Sequence, residues 1–138
     1  MTEKNMTPRD AKAYLSKYRE SLELARKTSE HLAELKAEAE QLRDHEGQSV
    51  KLDAAVIRYV DACNDAGAYL EMLGSLRGDI RQTVERVTDA KLRELLREIY
   101  INGKPIVRVA ADREQSYEHI CRLHGAALLA VSEVIRKA

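Results

Sequence analysis

The stretch Leu92–Val134 decides the fold of this chain, and it reads LRELLREIYINGKPIVRVAADREQSYEHICRLHGAALLAVSEV. Its apolar residues form three runs at helical spacing, and two short polar breaks separate the runs. The first break, residues 102–105, contains Gly103 and Pro105, and the second ends at Ser116. Glycine, proline and serine are typical of helix ends, so the spacing predicts three helices joined by two tight turns, as in a helix-turn-helix.

Capping residues mark the ends of these three helices. The pair Thr88–Asp89 predicts the N-cap of a first helix, which we expect to run over residues 90–100. Gly103 should end that helix, and Pro105 should start a short second one. Ser116 predicts the N-cap of the third helix. The residues expected to face the interior are Leu92, Leu95, Leu96, Ile99, Val109, Ala110, Ile120, Leu123 and Ala127.

Residues 7–45 predict one long helix with a heptad seam. Thr7 is the expected N-cap, Pro8 occupies the first helical position, and Asp10 favours the positive end of the helix dipole. Two series of residues repeat every seven positions, which is the pattern of a coiled-coil seam. The series are Ala11, Tyr18, Ala25, Leu32 and Ala39, and, three residues further on, Tyr14, Ser21, Thr28, Leu35 and Leu42.

A second long helix is predicted after the turn His45–Ser49. Gly47 should adopt a left-handed conformation at the end of the first helix, and Ser49 should cap the second, which runs to about Val87. The heptad series of this helix are Tyr59, Ala66, Leu73, Ile80 and Val87, and Val56, Cys63, Leu70, Arg77 and Val84. The segment Gly74–Gly78 leaves one alternative open, because its glycines weaken a helix and also fit a break.

Together these patterns predict an all-α fold. We expect residues 1–6 to be a disordered N-terminus and residues 7–87 to be a long antiparallel, coiled-coil-like helical hairpin for oligomerisation or partner binding. Residues 88–138 should form the helix-turn-helix domain. Two helices of this length leave apolar edges uncovered, so we expect a homodimer.

Composition favours helices and gives a weak electrostatic signal. The chain has no Trp or Phe, two Pro and 33% charged residues, a mixture that argues against a β-sandwich or barrel. The net charge is zero. From Lys91 onward, however, nine basic residues stand against six acidic ones, compared with 14 against 17 in the rest of the chain. The basic excess lies on the predicted helix-turn-helix, where it favours a modest attraction to phosphate.

Other classes of site find little support in the sequence. His119 and His124 lie five residues apart, on different faces of one helix and without a Cys/His cluster, so no metal site is expected. No phosphate-binding loop or nucleophile motif occurs, and we expect neither a cofactor nor enzyme activity. No apolar run approaches the roughly 20 residues that span a membrane. We therefore expect a soluble, cytoplasmic protein without a membrane partner.

The isolated cysteines and tyrosines have structural interpretations. Cys63 and Cys121 are expected to be reduced thiols on buried helix faces. Tyr59, Tyr69 and Tyr100 are expected at core edges with their hydroxyl groups in water. None of these residues suggests a chemical site.

Two runs in the C-terminal part carry a resemblance to a known group. They are Tyr100-Ile101-Asn102-Gly103-Lys104 and His119-Ile120-Cys121-Arg122-Leu123-His124-Gly125-Ala126-Ala127-Leu128. Residues 96–128 resemble the C-terminal part of small phage-encoded proteins of Gram-positive bacteria and their prophages. Those proteins have an N-terminal helical hairpin and a tail like region 4 of sigma factors. They are similar to the ArpU/RinA type of phage late-gene transcription regulators.

The resemblance implies a DNA-binding transcription regulator whose recognition helix begins at Ser116. The first residues of such a helix meet base edges in the major groove, while the preceding helix crosses the DNA backbone. The residues implied to face the bases are Tyr117, Glu118, His119 and Arg122. Arg122 would bind guanine through both arms of its guanidinium. The residues implied to contact phosphate are Lys104, Arg108 and Ser116. The hairpin would dimerise or bind RNA polymerase or another host protein.

The sequence departs from that group at the turn before the recognition helix. Relatives usually carry Leu-Gly where this chain has Arg113-Glu114. The leucine plugs the core between the helices, and the glycine permits the sharp turn. We therefore expect Arg113 to extend its charge out of the core and Glu114 to adopt a strained backbone. Glu118 also repels phosphate, although it can accept a hydrogen bond from cytosine.

Two other functions stay open at this point. The helix-turn-helix can serve as the scaffold of a module that binds and inhibits a host protein or defence complex. The zero net charge, the Arg113-Glu114 pair and Glu118 favour this alternative. The third possibility is a structural coiled-coil protein in which the C-terminal part only caps the hairpin.

Overall fold

The computed structural model describes residues 6–43, 47 and 49–137. Over these residues the chain is helical and contains no strand, as the sequence predicts. Its elements are α1 (Pro8–Arg43), α2 (Ser49–Glu85), α3 (Ala90–Leu96), a π-helical turn (Arg97–Ile101), α4 (Ile106–Arg113) and α5 (Tyr117–Lys137). None of the helices in the described part is both long enough and apolar enough to cross a membrane.

The amino-terminal cap of α1 forms as predicted. The Asp10 N–H donates to Thr7 Oγ1 at 3.2 Å, and the Thr7 N–H donates to Asp10 Oδ2 at 3.1 Å. This reciprocal arrangement is a capping box, and Pro8 is the first helical residue. Residues 1–5 of the predicted disordered segment lie outside the described residues. Met6 is partly buried and packs against the core.

The seam of α1 is the side of the helix that is buried. Ala11, Leu15, Tyr18 and Ser21 are buried. The later seam positions, as far as Leu42, are partly buried. Most residues between the seam positions are exposed, so the heptad pattern identifies the packed face of this helix.

α2 is continuous from Ser49 to Glu85. The alternative of a break at Gly74–Gly78 is therefore wrong. Gly47 has the left-handed conformation that the sequence predicts, with φ 77°. Ser49 is the first residue of the helix and does not precede it, so the prediction that Ser49 is the N-cap is wrong. The other residues of the predicted turn lie outside the described residues.

One position of the predicted α2 seam is also wrong. Val56 is 43% exposed, whereas its neighbour Ala55 is 1% exposed. A straight α-helix drifts by about 20° per heptad relative to a strict seven-residue repeat. Counted back from the buried Val84, this drift brings Ala55 onto the inward face in place of Val56.

The chain divides into two compact units, Met1–Glu20 with Leu76–Ala138, and Ser21–Ser75. The core of the first unit draws on residues from both sides of the domain boundary predicted between positions 87 and 88. It consists of Ala11, Leu15, Tyr18, Ile80, Val84, Val87, Leu96, Tyr100, Ala127, Leu128 and Val131. The functional division into a hairpin domain and a C-terminal domain stays a prediction.

Polar contacts join parts of α1 and α2 within the first unit. The Tyr14 hydroxyl lies 3.2 Å from Thr83 Oγ1. Arg81 donates to the Tyr18 hydroxyl, and its guanidinium carbon lies 5.5 Å from the centre of the Tyr18 ring. Because Tyr18 follows Tyr14 whereas Arg81 precedes Thr83, these two helix segments run antiparallel.

The second unit has a thinner core. Over the part of the chain that the structure describes, its buried residues are Ser21, Ala55, Ala66 and Leu73. Glu38 and Arg58 form an ion pair at 2.6 Å, with both side chains about half exposed. The larger apolar residues of α2 that stay exposed in this unit are Val50, Val56, Ile57, Val60, Tyr69 and Met72. The unit therefore leaves apolar surface on α2 uncovered.

The first short helix is regular only over Ala90–Leu96 and then widens into the π-helical turn Arg97–Ile101. The predicted α-helix to Tyr100 is therefore wrong over its last residues. The predicted N-cap is correct, because the Asp89 carboxylate accepts two backbone N–H groups of the first turn at 2.9 and 3.2 Å. A single π-helical turn adds one residue, which a 3.6-residue apolar pattern does not reveal.

The end of the π-helical turn depends on Gly103. This residue has φ 73°, and the next N–H, of Lys104, donates to the Glu98 carbonyl at 2.9 Å. A Cβ atom at position 103 would lie 2.8 Å from the guanidinium carbon of Arg19. Arg19 itself donates to the Ile101 carbonyl at 3.0 Å. Glycine is favoured here by the left-handed backbone conformation, and its lack of a side chain leaves room for the guanidinium of Arg19.

Tyr100 is buried, and the expectation that its hydroxyl lies in water is wrong. The hydroxyl is 2.6 Å from His124 Nε2, and the two rings stack with centroids 5.7 Å apart. Burial raises the pKa of Tyr100 to about 12. Burial and, to a smaller extent, the charge of Lys12 lower the pKa of His124. The neutral imidazole is thereby favoured, and it can accept the tyrosine hydroxyl proton in a hydrogen bond.

This pair predicts that the chain loses stability on mild acidification. The pKa of His124 lies lower in the folded chain than its usual value of 6.5, so the unfolded chain binds a proton first as the pH falls. The free energy of unfolding should therefore decrease from about pH 6.5 downwards and level off below the folded pKa. Urea unfolding measured across this range should show a smaller decrease for His124→Gln, which can still accept from Tyr100. Parallel curves for the two proteins would contradict the prediction.

Candidate nucleic-acid interface

The corner between α4 and α5 rests on a small apolar cluster. Leu95 of α3, Val109 and Ala110 of α4, and Ile120 of α5 are all buried there. Ile99, Ile106 and Leu123 pack around them with partial exposure. Each of the three helices contributes to this cluster, so their packing fixes the direction in which α5 leaves the corner.

The chain turns from α4 into α5 through a left-handed residue. Glu114 has φ 54° and ψ 43°, and its N–H donates to the Ala111 carbonyl at 3.2 Å. The N–H of Gln115 donates to the Ala110 carbonyl at 3.0 Å. These two bonds are a Schellman motif, in which glycine usually occupies the position of Glu114. The strained backbone expected at Glu114 is confirmed.

Arg113, the residue before that corner, pairs with Glu98 of the π-helical turn. The side chain of Arg113 is 26% exposed and that of Glu98 is 15% exposed. Arg113 thus extends its charge away from the apolar cluster, as the sequence predicts, and it finds a counter-ion that the sequence analysis missed. This ion pair links the end of α4 to the π-helical turn beside the apolar cluster.

The first turn of α5 presents the residues implied to face DNA bases. Ser116 caps this turn as predicted, because its Oγ accepts the His119 N–H at 3.1 Å. Tyr117 is 53% exposed. Glu118 and Arg122 are also exposed, and His119 is partly exposed. The buried Ile120 lies on the side of the helix opposite Glu118 and Arg122, so the outward direction inferred for these two residues is correct.

Arg122 and Tyr117 differ in the contacts that their side chains make. Among the described residues, none lies within hydrogen-bonding or ion-pairing distance of the Arg122 guanidinium. A hydrogen bond with the Cys121 thiol raises the pKa of Tyr117. Cys121 and Cys63 are partly buried and form no disulfide. Arg122 is thus the cation at this surface that is available to an incoming acceptor.

The two cations implied to contact phosphate share one acidic neighbour. Lys104 Nζ lies 3.2 Å from Asp112 Oδ2 and 3.6 Å from Glu98 Oε1. Arg108 Nε lies 3.8 Å from the same Asp112 oxygen. The Arg108 side chain is 69% exposed, whereas Lys104 is 35% exposed. The structure therefore brings both cations to one place and partly neutralises them there.

Sequence reasoning missed both acidic partners, Glu98 and Asp112. The pair Arg108 and Asp112 was predictable, because residues four positions apart on a helix are neighbours. The contact between Glu98 and Arg113 has no such local signal, since it joins two different elements. The net charge of the C-terminal part includes these two acidic residues, but it does not reveal that both lie beside Lys104.

Comparisons of the chain with protein-family models, with curated proteins and with solved structures give no match. A role for this corner consequently rests on its geometry and on the resemblance carried by residues 96–128. The geometry offers an exposed helix start, the guanidinium of Arg122 without a partner among the described residues, and two partly neutralised cations.

The left-handed Glu114 predicts that glycine at this position stabilises the fold. A left-handed backbone costs a non-glycine residue about 1–2 kcal/mol, and the greater freedom of glycine in the unfolded chain offsets about half of that gain. Glu114→Gly should therefore raise the free energy of unfolding by about 0.5–1 kcal/mol, measured by chemical denaturation.

The matched control is Glu133→Gly, the same replacement at an exposed position inside α5. This variant should lose about 1 kcal/mol, because glycine is unfavourable in a helix interior. A loss of stability in Glu114→Gly as well would show that Glu114 makes a contribution other than its backbone strain.

Proposed function

We propose that the chain is a DNA-binding transcription regulator of the phage type that its C-terminal part resembles, with residues 88–138 acting as a helix-turn-helix. One observation carries the proposal: α5 begins with an exposed turn immediately after a sharp, left-handed corner. A helix in this position is able to enter a major groove with its first residues foremost. The apolar cluster behind α5 provides the rigid support that such a reading helix needs.

In this proposal the exposed turn reads the bases and α4 contacts the backbone. The planar guanidinium of Arg122 matches the two acceptors of guanine and has no protein partner among the described residues to compete with it. Glu118 and His119 precede Arg122 by four and three residues and are therefore its neighbours on the helix surface, whereas Tyr117, five residues before it, lies on a different face of the helix. Ser116, Lys104 and Arg108 are the proposed phosphate contacts, and these would set the position of the protein on the duplex.

We also propose that the long helices form a hairpin that dimerises. The support is the group of apolar residues Val56, Ile57 and Val60, which lie close together on α2 and are exposed, because clustered exposed apolar residues favour association. A second copy of the chain offers the same surface, and a two-fold pairing of identical patches is the commonest form of association. A dimer would carry two reading helices for two half-sites.

A second function has its own supporting observation. Asp112 lies near both Lys104 and Arg108, and Glu118 is exposed on the reading turn. A surface of mixed charge is less attractive to DNA and is suited to binding a protein. In this alternative the same corner would bind and inhibit a host protein or defence complex.

The proposed base contact predicts that Arg122→Ala loses sequence discrimination. Preferred duplexes are first selected from a random-sequence pool, and binding is then measured by fluorescence anisotropy. The variant should bind the selected duplex about 5-fold to 100-fold more weakly and a scrambled duplex almost as well as before. The scrambled duplex lacks the preferred base for Arg122. Binding to it therefore reports the phosphate contacts, which the variant keeps.

Arg136→Ala is the matched control, since it removes the same charge from the exposed last turn of the same helix. It should bind the selected duplex like the original chain. Equal losses for both variants would indicate a general charge effect and would contradict base reading by Arg122. A chain that binds no duplex at about 50 mM salt, yet co-purifies with one host protein at fixed stoichiometry, would favour the second function.

The proposed dimer predicts that Val60→Glu shifts the chain to a monomer. Val60 is 48% exposed, so a charge here is tolerated in the isolated chain. In a symmetric interface the glutamate would remove the stabilisation from burying Val60, about 1.5 kcal/mol for each copy. The dimer should therefore be weakened by about 100-fold or more. Size-exclusion chromatography with light scattering measures the change. Ser29→Glu, at an exposed polar position of α1, should leave the mass unchanged, and a monomeric original chain would overturn the proposal.

A further inference from the structure

We propose that Asp112 is a built-in competitor for DNA phosphate, which restrains sequence-independent binding at the α4–α5 corner. The inference rests on the proposed DNA-binding function and concerns the regulation of its affinity. Its basis is the position of one carboxylate oxygen beside both cations of the proposed phosphate contact. Asp112 was not among the residues that the sequence associated with DNA.

The geometry places Asp112 Oδ2 within reach of both cations, where an oxygen of a phosphate bound by both would lie. This single atom is 3.2 Å from Lys104 Nζ and 3.8 Å from Arg108 Nε. A phosphate bound by both cations would offer an oxygen at similar distances, because charge-assisted contacts of Lys and Arg have the same geometry for carboxylate and phosphate. Carboxylate and phosphate therefore exclude each other at this point.

The two carboxylates near Lys104 differ in how easily a phosphate could displace them. Glu98 is 15% exposed and is already held by Arg113, so it belongs to the support of the corner. Asp112 is 43% exposed, and water can solvate its carboxylate if the side chain turns away. A phosphate can therefore displace Asp112. The displacement breaks the contacts of Asp112 with Lys104 and Arg108, and it leaves the negative charge of Asp112 close to the phosphate.

Binding of a base by Arg122 does not require an ion pair to be broken. Within the described part of the chain, Arg122 has no partner to release before it meets a base. The presence of Asp112 consequently lowers the affinity for every DNA sequence, while the contribution of Arg122 to the preferred sequence stays intact. Non-specific sites in a genome far outnumber specific ones. A low affinity for DNA in general therefore leaves more of the protein free to occupy its preferred sites.

The test compares Asp112→Asn with the original chain on a short mixed-sequence duplex, by fluorescence anisotropy over a series of salt concentrations. The variant keeps the shape of the side chain and removes its charge. It should bind about 3-fold to 10-fold more tightly at low salt, and the slope of log affinity against log salt should steepen by about one to two units, one for each additional phosphate that the protein neutralises. Circular dichroism should show the same helix content for both proteins.

Glu94→Gln is the matched control, because it removes one negative charge from another exposed ion pair of the same unit, the pair with Arg97. It should leave affinity and slope nearly unchanged. Equal increases in affinity for the two variants would overturn the inference in favour of a net-charge effect. Binding by the original chain with no increase in Asp112→Asn would overturn the inference alone. Absence of binding by both proteins would overturn it together with the proposed DNA-binding function.

Discussion

The ion pair between Arg113 and Glu98 is the constraint on which the α4–α5 corner depends. Both side chains are largely shielded from water, and Glu98 also lies 3.6 Å from Lys104 Nζ. Removing Glu98 would leave the charge of Arg113 uncompensated within the described part of the chain, which is more harmful than replacing both partners with apolar groups. The pair joins the π-helical turn to the end of α4 at a corner that has neither leucine nor glycine. Arg113 directs its charge to Glu98, and Glu114 adopts the left-handed backbone that the sharp turn requires.

The same electrostatic arrangement limits what the surface can bind. Glu98 supports the corner and also lies within 3.6 Å of Lys104, while Asp112 lies beside Lys104 and Arg108. Lys104 and Arg108, the two cations of the proposed phosphate contact, are thus partly neutralised within the protein. A reading helix that is exposed but only weakly basic would depend on base contacts and on groove shape more than on phosphate attraction. This balance is the physical reason why one corner fits both a selective DNA reader and a protein-binding module.

Features set by local chemistry were predictable from the sequence, whereas those set by contacts between elements were not. The caps at Thr7, Asp89 and Ser116 and the left-handed Gly47 follow from single residues and their immediate neighbours, and all four are confirmed. The π-helical turn and the pairing of Tyr100 with His124 depend on how α3 packs against α5, which periodicity does not encode. The outward side of α5 was predictable because Ile120 and Leu123 mark its inner side. The two acidic partners of the proposed phosphate contacts had to be seen in three dimensions.

The exposed face of α2 follows from the mismatch between the helical repeat and seven residues. A sequence whose apolar residues repeat every seven positions keeps them on one side only if the helix supercoils. Where α2 follows its own 3.6-residue repeat, Ala55 turns inward and Val56 turns outward. A small residue is then buried and a larger one is left in water, which reduces the apolar area that the second unit removes from solvent. Because each Å² of buried apolar surface contributes only about 25 cal/mol, a core of serine, alanine and one leucine stabilises little by itself. A partner that covers Val56, Ile57 and Val60 would bury the apolar area that α2 leaves exposed because of this drift. This gain in buried area is the physical argument for association through α2.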